Sequence, residues 1–276
     1  MKFKNCLLAS DVDGTLMEQG RISPRNFDAI NKFVSEGGTF CIATGRCPTA
    51  MKHIVSQFES LHNIIYYNGG MVYDCTNQKV LINKTLDDSD KLFLKNVTDK
   101  FPELGLEVYS GDQVFMVRYS DSCRVHFEYE YIDIVPADIE EIKNLKWNKA
   151  MSFYPTEYDD SCIEKEIKKT VFKKCEFAKA AGYIDGKNYR GYEQLPLGAN
   201  KGTALIELAD LLNIPRNRTF AIGDYYNDLE MLKKAGISAC PKESPNDIKH
   251  IVDFVAGACS DGAVADFIEY LTTVDL

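Results

Sequence analysis

Two carboxylates one residue apart, Asp11 and Asp13, close the apolar run of "LLASDVDGTL" at positions 7–16. Like charges placed that close at the end of a buried segment are unfavourable unless a cation or a reaction makes use of them. Three further polar clusters stand downstream: Thr44-Gly45-Arg46, Lys201 in "GANKGTAL", and Gly223-Asp224-Tyr225-Tyr226-Asn227-Asp228. Carboxylates from Asp11, Asp13, Asp224 and Asp228 converging on one point call for a divalent cation, and an oxygen-only donor set suits Mg²⁺ rather than zinc. If Asp11 attacks a phosphorus atom, the leaving alkoxide needs a proton and a following water must lose one. Asp13 is spaced to act as the acid and then the base. Thr44 offers a hydroxyl and a backbone N–H to phosphate oxygens, and Lys201 offers a point positive charge. Asp224 would complete the metal site, and Asp228, one helical turn on, would hold Asp224 or a metal-bound water.

These clusters matter only if the chain brings them together, and the pattern of elements predicts that it does. "CLLAS" (6–10), "TFCIAT" (39–44) and "NIIYY" (63–67) read as short buried strands. Between them run two helical patterns, the first with Ser23 as N-cap, Pro24 at N1 and Gly37-Gly38 after its end. Strand, helix, strand, helix, strand implies a parallel sheet with right-handed crossovers. Ligands gather outside the carboxyl ends of such strands, where Asp11 and Thr44 fall. "NGG" (68–70) reads as a plain turn into "MVYD", and Arg46 as a structural ion-pair partner.

Near residue 83 paired strands and amphipathic helices replace the alternation, and after about residue 191 it resumes with "KGTALIELADLLNI", "TFAIG", "NDLEMLKKAG" and "ISAC". The expected organisation is an α/β core of residues 1–82 and 191–276 carrying an α+β insert at 83–190. "YDDSCIEKEIKKTVFKKC" (158–175) reads as one amphipathic helix, and "DGAVADFIEYL" as a last helix behind Ser260 or Asp261.

Composition narrows the partners. A net charge of −9 over 276 residues argues against general affinity for nucleic acid but allows a small anionic substrate beside a cation. No apolar run reaches the length of a membrane span, and the first residues lack a signal-peptide core. Nine cysteines without a CxxC pattern read as reduced thiols, so the expected location is the cytoplasm.

DVDGTL at 11–16, TGR at 44–46, Lys201 and GDYYND at 223–228 resemble the four ordered motifs of the haloacid dehalogenase superfamily of phosphohydrolases. Asn68-Gly69, "EQLPLGANKGTAL" (193–205) and "SDGAV" (260–264) resemble its Cof-like branch, which carries an inserted α/β cap of type IIB. The resemblance implies a Rossmann-like core, with Asp11 as nucleophile and Asp13 as acid/base. It implies Mg²⁺ on Asp11, the Asp13 backbone carbonyl and Asp224, and places Gly45 and Asn227 with Thr44 and Lys201 around the phosphate. Gln194 and Ser10 depart from the family pattern without touching that chemistry. The expectation is a Mg²⁺-dependent phosphatase of small phosphorylated metabolites, sugar phosphates first, in a monomer or weak homodimer whose cap sets specificity. A phosphotransferase or phosphomutase, and a phosphatase of FMN or pyridoxal phosphate, are the alternatives.

Overall fold

The computed structural model describes residues 1–130, 132–154, 159, 161–169, 175–184 and 187–275. The chain begins its main sheet with β1 (Leu7–Ser10), all four residues of which are buried. A parallel strand covered on both faces needs a continuous apolar run rather than an alternating one, which is what "LLAS" supplies. A two-strand ribbon, β2 (Met17–Glu18) on β3 (Arg21–Ile22), leads into α1 (Pro24–Ser35) and β4 (Thr39–Ala43). Ser23 does stand at the N-cap of α1, but its side chain makes no capping hydrogen bond; its carbonyl instead accepts the Asn26 N–H. Helix α2 (Pro48–Val55) and β5 (Asn63–Tyr66) follow, and then β6 (Met71–Asp74) and β7 (Lys79–Asn83) turn back antiparallel.

The insert comes next. Helix α3 (Asp88–Lys100) opens with a capping box between Asp87 and Asp90, and β8 (Gly105–Ser110) pairs with β9 (Gln113–Arg118). Helix α4 (Asp121–Glu130), β10 (Ile134–Pro136), the short α5 (Ile139–Ile142) and β11 (Lys149–Tyr154) follow. Helix α6 (Ser161–Lys169) precedes the long hairpin of β12 (Cys175–Ile184) and β13 (Lys187–Pro196). The expected helix over 158–175 is thus seen as α6, with 158, 160 and 170–174 outside the described residues and Cys175 already in a strand. These strands form one sheet in the order β10-β9-β8-β11-β13-β12, backed by apolar clusters around Trp147 and around Tyr154 and Tyr192.

The main sheet then resumes with α7 (Lys201–Leu211), β14 (Thr219–Ile222), α8 (Leu229–Lys234), β15 (Ile237–Cys240), α9 (Asn246–Lys249), β16 (Phe254–Val255) and α10 (Ala263–Thr273). The N-cap of α10 is Gly262 at φ 99°, not Ser260 or Asp261. The finished sheet runs β16-β15-β14-β1-β4-β5-β6-β7. Contacts divide the chain into Met1–Arg46, His53–Asn83 and Asn200–Leu276 on one side, and Cys47–Lys52 with Lys84–Ala199 on the other. The second junction expected at 191 therefore falls at 200, because β13 stays paired with β11 through Gln194 and with β12 through Pro196. Among the described residues, no helix is long and apolar enough to cross a membrane.

Register is what places the polar clusters. Ser10 lies opposite Ile42 on one side and Ile222 on the other, so β1, β4 and β14 end level. Asp11, Thr44 and Asp224 consequently emerge from neighbouring strands at the same edge of the sheet. Below them Leu7, Ala9, Cys41, Ala43 and Ala221 pack with Ala204, Leu205 and Leu208 of α7. Leu208 is fully buried there, so Leu208→Ala should lower the unfolding free energy by about 2–5 kcal/mol. Urea unfolding with an unchanged slope is the check.

Candidate active site

The backbone sets the entry of each side chain. Asp11 extends β1 by one residue, its N–H donating to Ile222 O at 2.9 Å. The chain then reverses sharply, with the N–H groups of Leu16 and Met17 both donating to Val12 O. Gly14 sits inside that reversal at φ 82°, and a Cβ there would lie 2.5 Å from Asp224 Oδ2. Only glycine meets both the backbone angle and the approach of that carboxylate. Thr15, buried beside it, donates its hydroxyl to Asp224 Oδ1 at 3.3 Å.

Lys201, the first residue of α7, is fully buried and bridges two acids. Its Nζ donates to Asp11 Oδ1 at 2.5 Å and to Asp228 Oδ1 at 2.7 Å. Burial works against the lysine charge, but Asp11 and Asp228 outweigh it and hold Lys201 protonated above the usual lysine range. Asp228 spends its other oxygen on the backbone N–H groups of Asp224 (3.1 Å) and Tyr225 (3.3 Å). Both Asp228 oxygens are therefore engaged with protein donors, which makes this residue a brace for the loop.

Asp11, Asp224 and Asp228 each bring a carboxylate oxygen within 4.8 Å of the others, and they are the one such acidic or thiol–imidazole group among the described residues. Three negative charges against one lysine leave an excess of two in a largely buried place. Burial first, then the Asp228 charge, push Asp11 well above the usual carboxylate range. The same causes raise Asp224 to about 6. The excess negative charge and the all-oxygen donors fit a hard divalent cation such as Mg²⁺.

Asp13, expected in the metal set, directs its carboxylate elsewhere. Arg46 grips it with a two-pronged contact, Nε to Oδ2 and Nη2 to Oδ1, both at 2.8 Å. A guanidinium fork offers two charge-assisted bonds where the acid cluster offers repulsion, so the side chain stands outside that cluster. Only its backbone carbonyl, the atom the resemblance assigned, remains for a cation. The reading of Arg46 as an ion-pair partner is matched, with Asp13 as the partner. Thr44 is buried at the end of β4, its hydroxyl accepting the Arg46 N–H at 3.1 Å. Asn227 reaches Asn68, donating from Nδ2 to Oδ1 at 3.4 Å. Sequence reasoning passed over Thr15 as a functional position, although its place in DVDGT was the available signal.

A raised carboxylate in the folded state binds a proton that the unfolded chain has already released. Its stabilisation of the metal-free fold is complete below about pH 4 and is lost as pH rises through about 6, the value for Asp224. A divalent cation replaces that proton. The gain in melting temperature on adding Mg²⁺ should therefore grow between about pH 5 and about pH 7. Thermal unfolding with Mg²⁺ and with EDTA at both values tests this, and a gain independent of pH would contradict it.

The model of the haloacid dehalogenase-like hydrolases matches residues 8–268. A 5-amino-6-(5-phospho-D-ribitylamino)uracil phosphatase of Bacillus subtilis is 28% identical, covering 96% of this chain and 97% of its own. A solved phosphatase of the haloalkanoate superfamily from Bacteroides thetaiotaomicron superposes with a TM-score of 0.81 at 20% identity, over 99% of this chain and 97% of that one. A solved sugar phosphatase of subclass IIB gives 0.79 at 18% identity, over 98% and 100%. With its motifs on level strand ends and its cap inserted between β7 and α7, the chain belongs to the haloacid dehalogenase-like hydrolases.

Proposed function

We propose that this hydrolase cleaves small phosphomonoesters through a covalent phosphate on Asp11, with sugar and polyol phosphates as its substrate class. The observation that carries the reading is the setting of Asp11. It is a dry carboxylate held on one oxygen by Lys201, beside two further acids, with a second aspartate two residues on that stands apart from them. Lys201 fixes Oδ1 and leaves Oδ2 to form the new bond. In the first step Oδ2 bonds to phosphorus, the ester P–O bond breaks, and the leaving oxygen takes a proton from Asp13. In the second, water gives a proton to Asp13 and bonds to phosphorus. The bond to Asp11 then breaks, and inorganic phosphate leaves.

Lys201 also offsets the charge of the incoming phosphate, and Thr44, Gly45 and Asn227 bind its oxygens. Asp11, the Asp13 carbonyl and Asp224 would hold Mg²⁺, with Asp228 bracing the loop, and the bound ion would supply the positive charge that lets a phosphate dianion approach a carboxylate. The Arg46 fork occupies both Asp13 oxygens at rest, so one prong must let go before Asp13 gives or takes a proton. Support for the substrate class comes from the relatives: a ribityl phosphate and a sugar phosphate are both phosphate esters on polyhydroxylated carbon chains.

Asp11→Asn should abolish phosphate release, and rapid quenching with labelled substrate should trap an acyl phosphate on the wild type alone. Full turnover in that variant, or indifference to EDTA, removes the mechanism. Asp13→Asn should slow turnover by about 10²- to 10⁴-fold with KM nearly unchanged. In a panel of phosphorylated metabolites, sugar and polyol phosphates should give the highest kcat/KM. A clear preference for FMN or pyridoxal phosphate would reassign the substrate class and leave the mechanism intact.

A further inference from the structure

The turn Tyr67–Asn68–Gly69, which the sequence explains as a simple connection from β5 to β6, has three consecutive residues in the left-handed region, at φ 55°, 50° and 102°. Asparagine tolerates that conformation, but a tyrosine beside it does not do so readily. Such strain persists where the surroundings over-determine the backbone. Here they do so from three sides.

Toward the loop after β4, the Asn68 N–H donates to Thr44 O at 2.9 Å and the Tyr67 N–H to Arg46 O at 3.3 Å. The Asn68 carboxamide lies flat against Gly45, so that a Cβ at 45 would meet its Nδ2 at 3.0 Å. Toward the loop after β14, Asn68 Oδ1 accepts from Asn227 Nδ2 at 3.4 Å. Toward α7, Gly69 lies against the backbone of Asn200, the N-cap residue directly before Lys201, with no room for a side chain. One short turn thus touches the segments carrying Thr44 and Gly45, Lys201, and Asn227.

We propose that Asn68 is a positioning residue: its backbone N–H and carboxamide oxygen hold the Thr44–Gly45 segment and the Asn227 side chain at the separation a bound phosphate group requires. The strained backbone is the form in which one turn reaches all three segments together. The identity of the ligand rests on the phosphatase reading of the same site. Asn68→Gly keeps a residue at ease with φ 50° while deleting the carboxamide, and so separates strain from contact.

The test is a double-mutant cycle on the affinity for inorganic phosphate, measured by calorimetry in the presence of Mg²⁺, over wild type, Asn68→Gly, Asn227→Ala and the double variant. Asn68→Gly should melt no lower than the wild type and bind phosphate about tenfold more weakly. The double variant should be no weaker than the poorer single one, because the two residues act as one unit. Unimpaired phosphate binding in Asn68→Gly, or two losses that multiply, would overturn the proposal while leaving the phosphatase reading in place. So would loss of the fold in Asn68→Gly, since a positioning role on a glycine-tolerant turn is not needed for folding. A wild type that binds no phosphate would defeat both.

Discussion

The buried ammonium of Lys201 between Asp11 and Asp228 is the interaction on which the site depends. At an effective dielectric near 20, unit charges about 4 Å apart interact by about 4 kcal/mol. Three acids form three repelling pairs, whereas the lysine contacts only two of the acids directly. Burial adds its own penalty to every charge. The lysine therefore holds the trio in place without neutralising it. The upward displacement of Asp11 and Asp224 records what is left over. A site that is incomplete electrostatically will take up a cation or a proton, and a phosphoryl-transfer centre of this kind needs the cation.

The scaffold reduces the entropy of assembling groups far apart in the chain. Positions 11, 44, 68, 201 and 224 come from five separate segments. Three of them follow strands whose last residues are in register, so their relative placement is set by backbone hydrogen bonds rather than by side-chain rotamers. The small residues Ala9, Ala43, Ala204 and Ala221 let α7 lie close under the sheet, and Lys201 projects from the first turn of that helix. Interior packing is dense enough that a shift in one of these layers would be felt at the carboxylates.

Much of this was legible in the residues. "LLAS", "TFCIA" and "TFAI" announce buried parallel strands, and a polar cluster directly after each announces where a ligand lies. Other features left weaker traces. Helix α4 passed unnoticed because "DSCRVHFEYE" shows little amphipathic contrast, its burial being decided by the sheet it covers. The strand legible in "NYRGYEQL" runs on to Pro196 and keeps residues up to Ala199 with the insert, beyond the boundary near 191 that the resumed alternation suggested. Gly262 took the cap of α10 from Ser260 and Asp261 because a left-handed backbone was needed there. The pairing of Asp13 with Arg46 needs a contact across 33 positions, which local pattern cannot specify. Asn68 looked like ordinary turn chemistry, and only its three-sided surroundings set it apart.

The two aspartates of DVDGT meet solvent very differently. The side chain of Asp11 is 8% exposed, whereas that of Asp13 is 49% exposed. On the proposed route every proton that changes hands does so at Asp13, on the wet side of the motif. Protonic traffic can therefore exchange with bulk water without crossing the interior trio, whose total charge stays constant from one catalytic cycle to the next. A single dipeptide step along the backbone separates a compartment for bond-making from one for acid–base exchange.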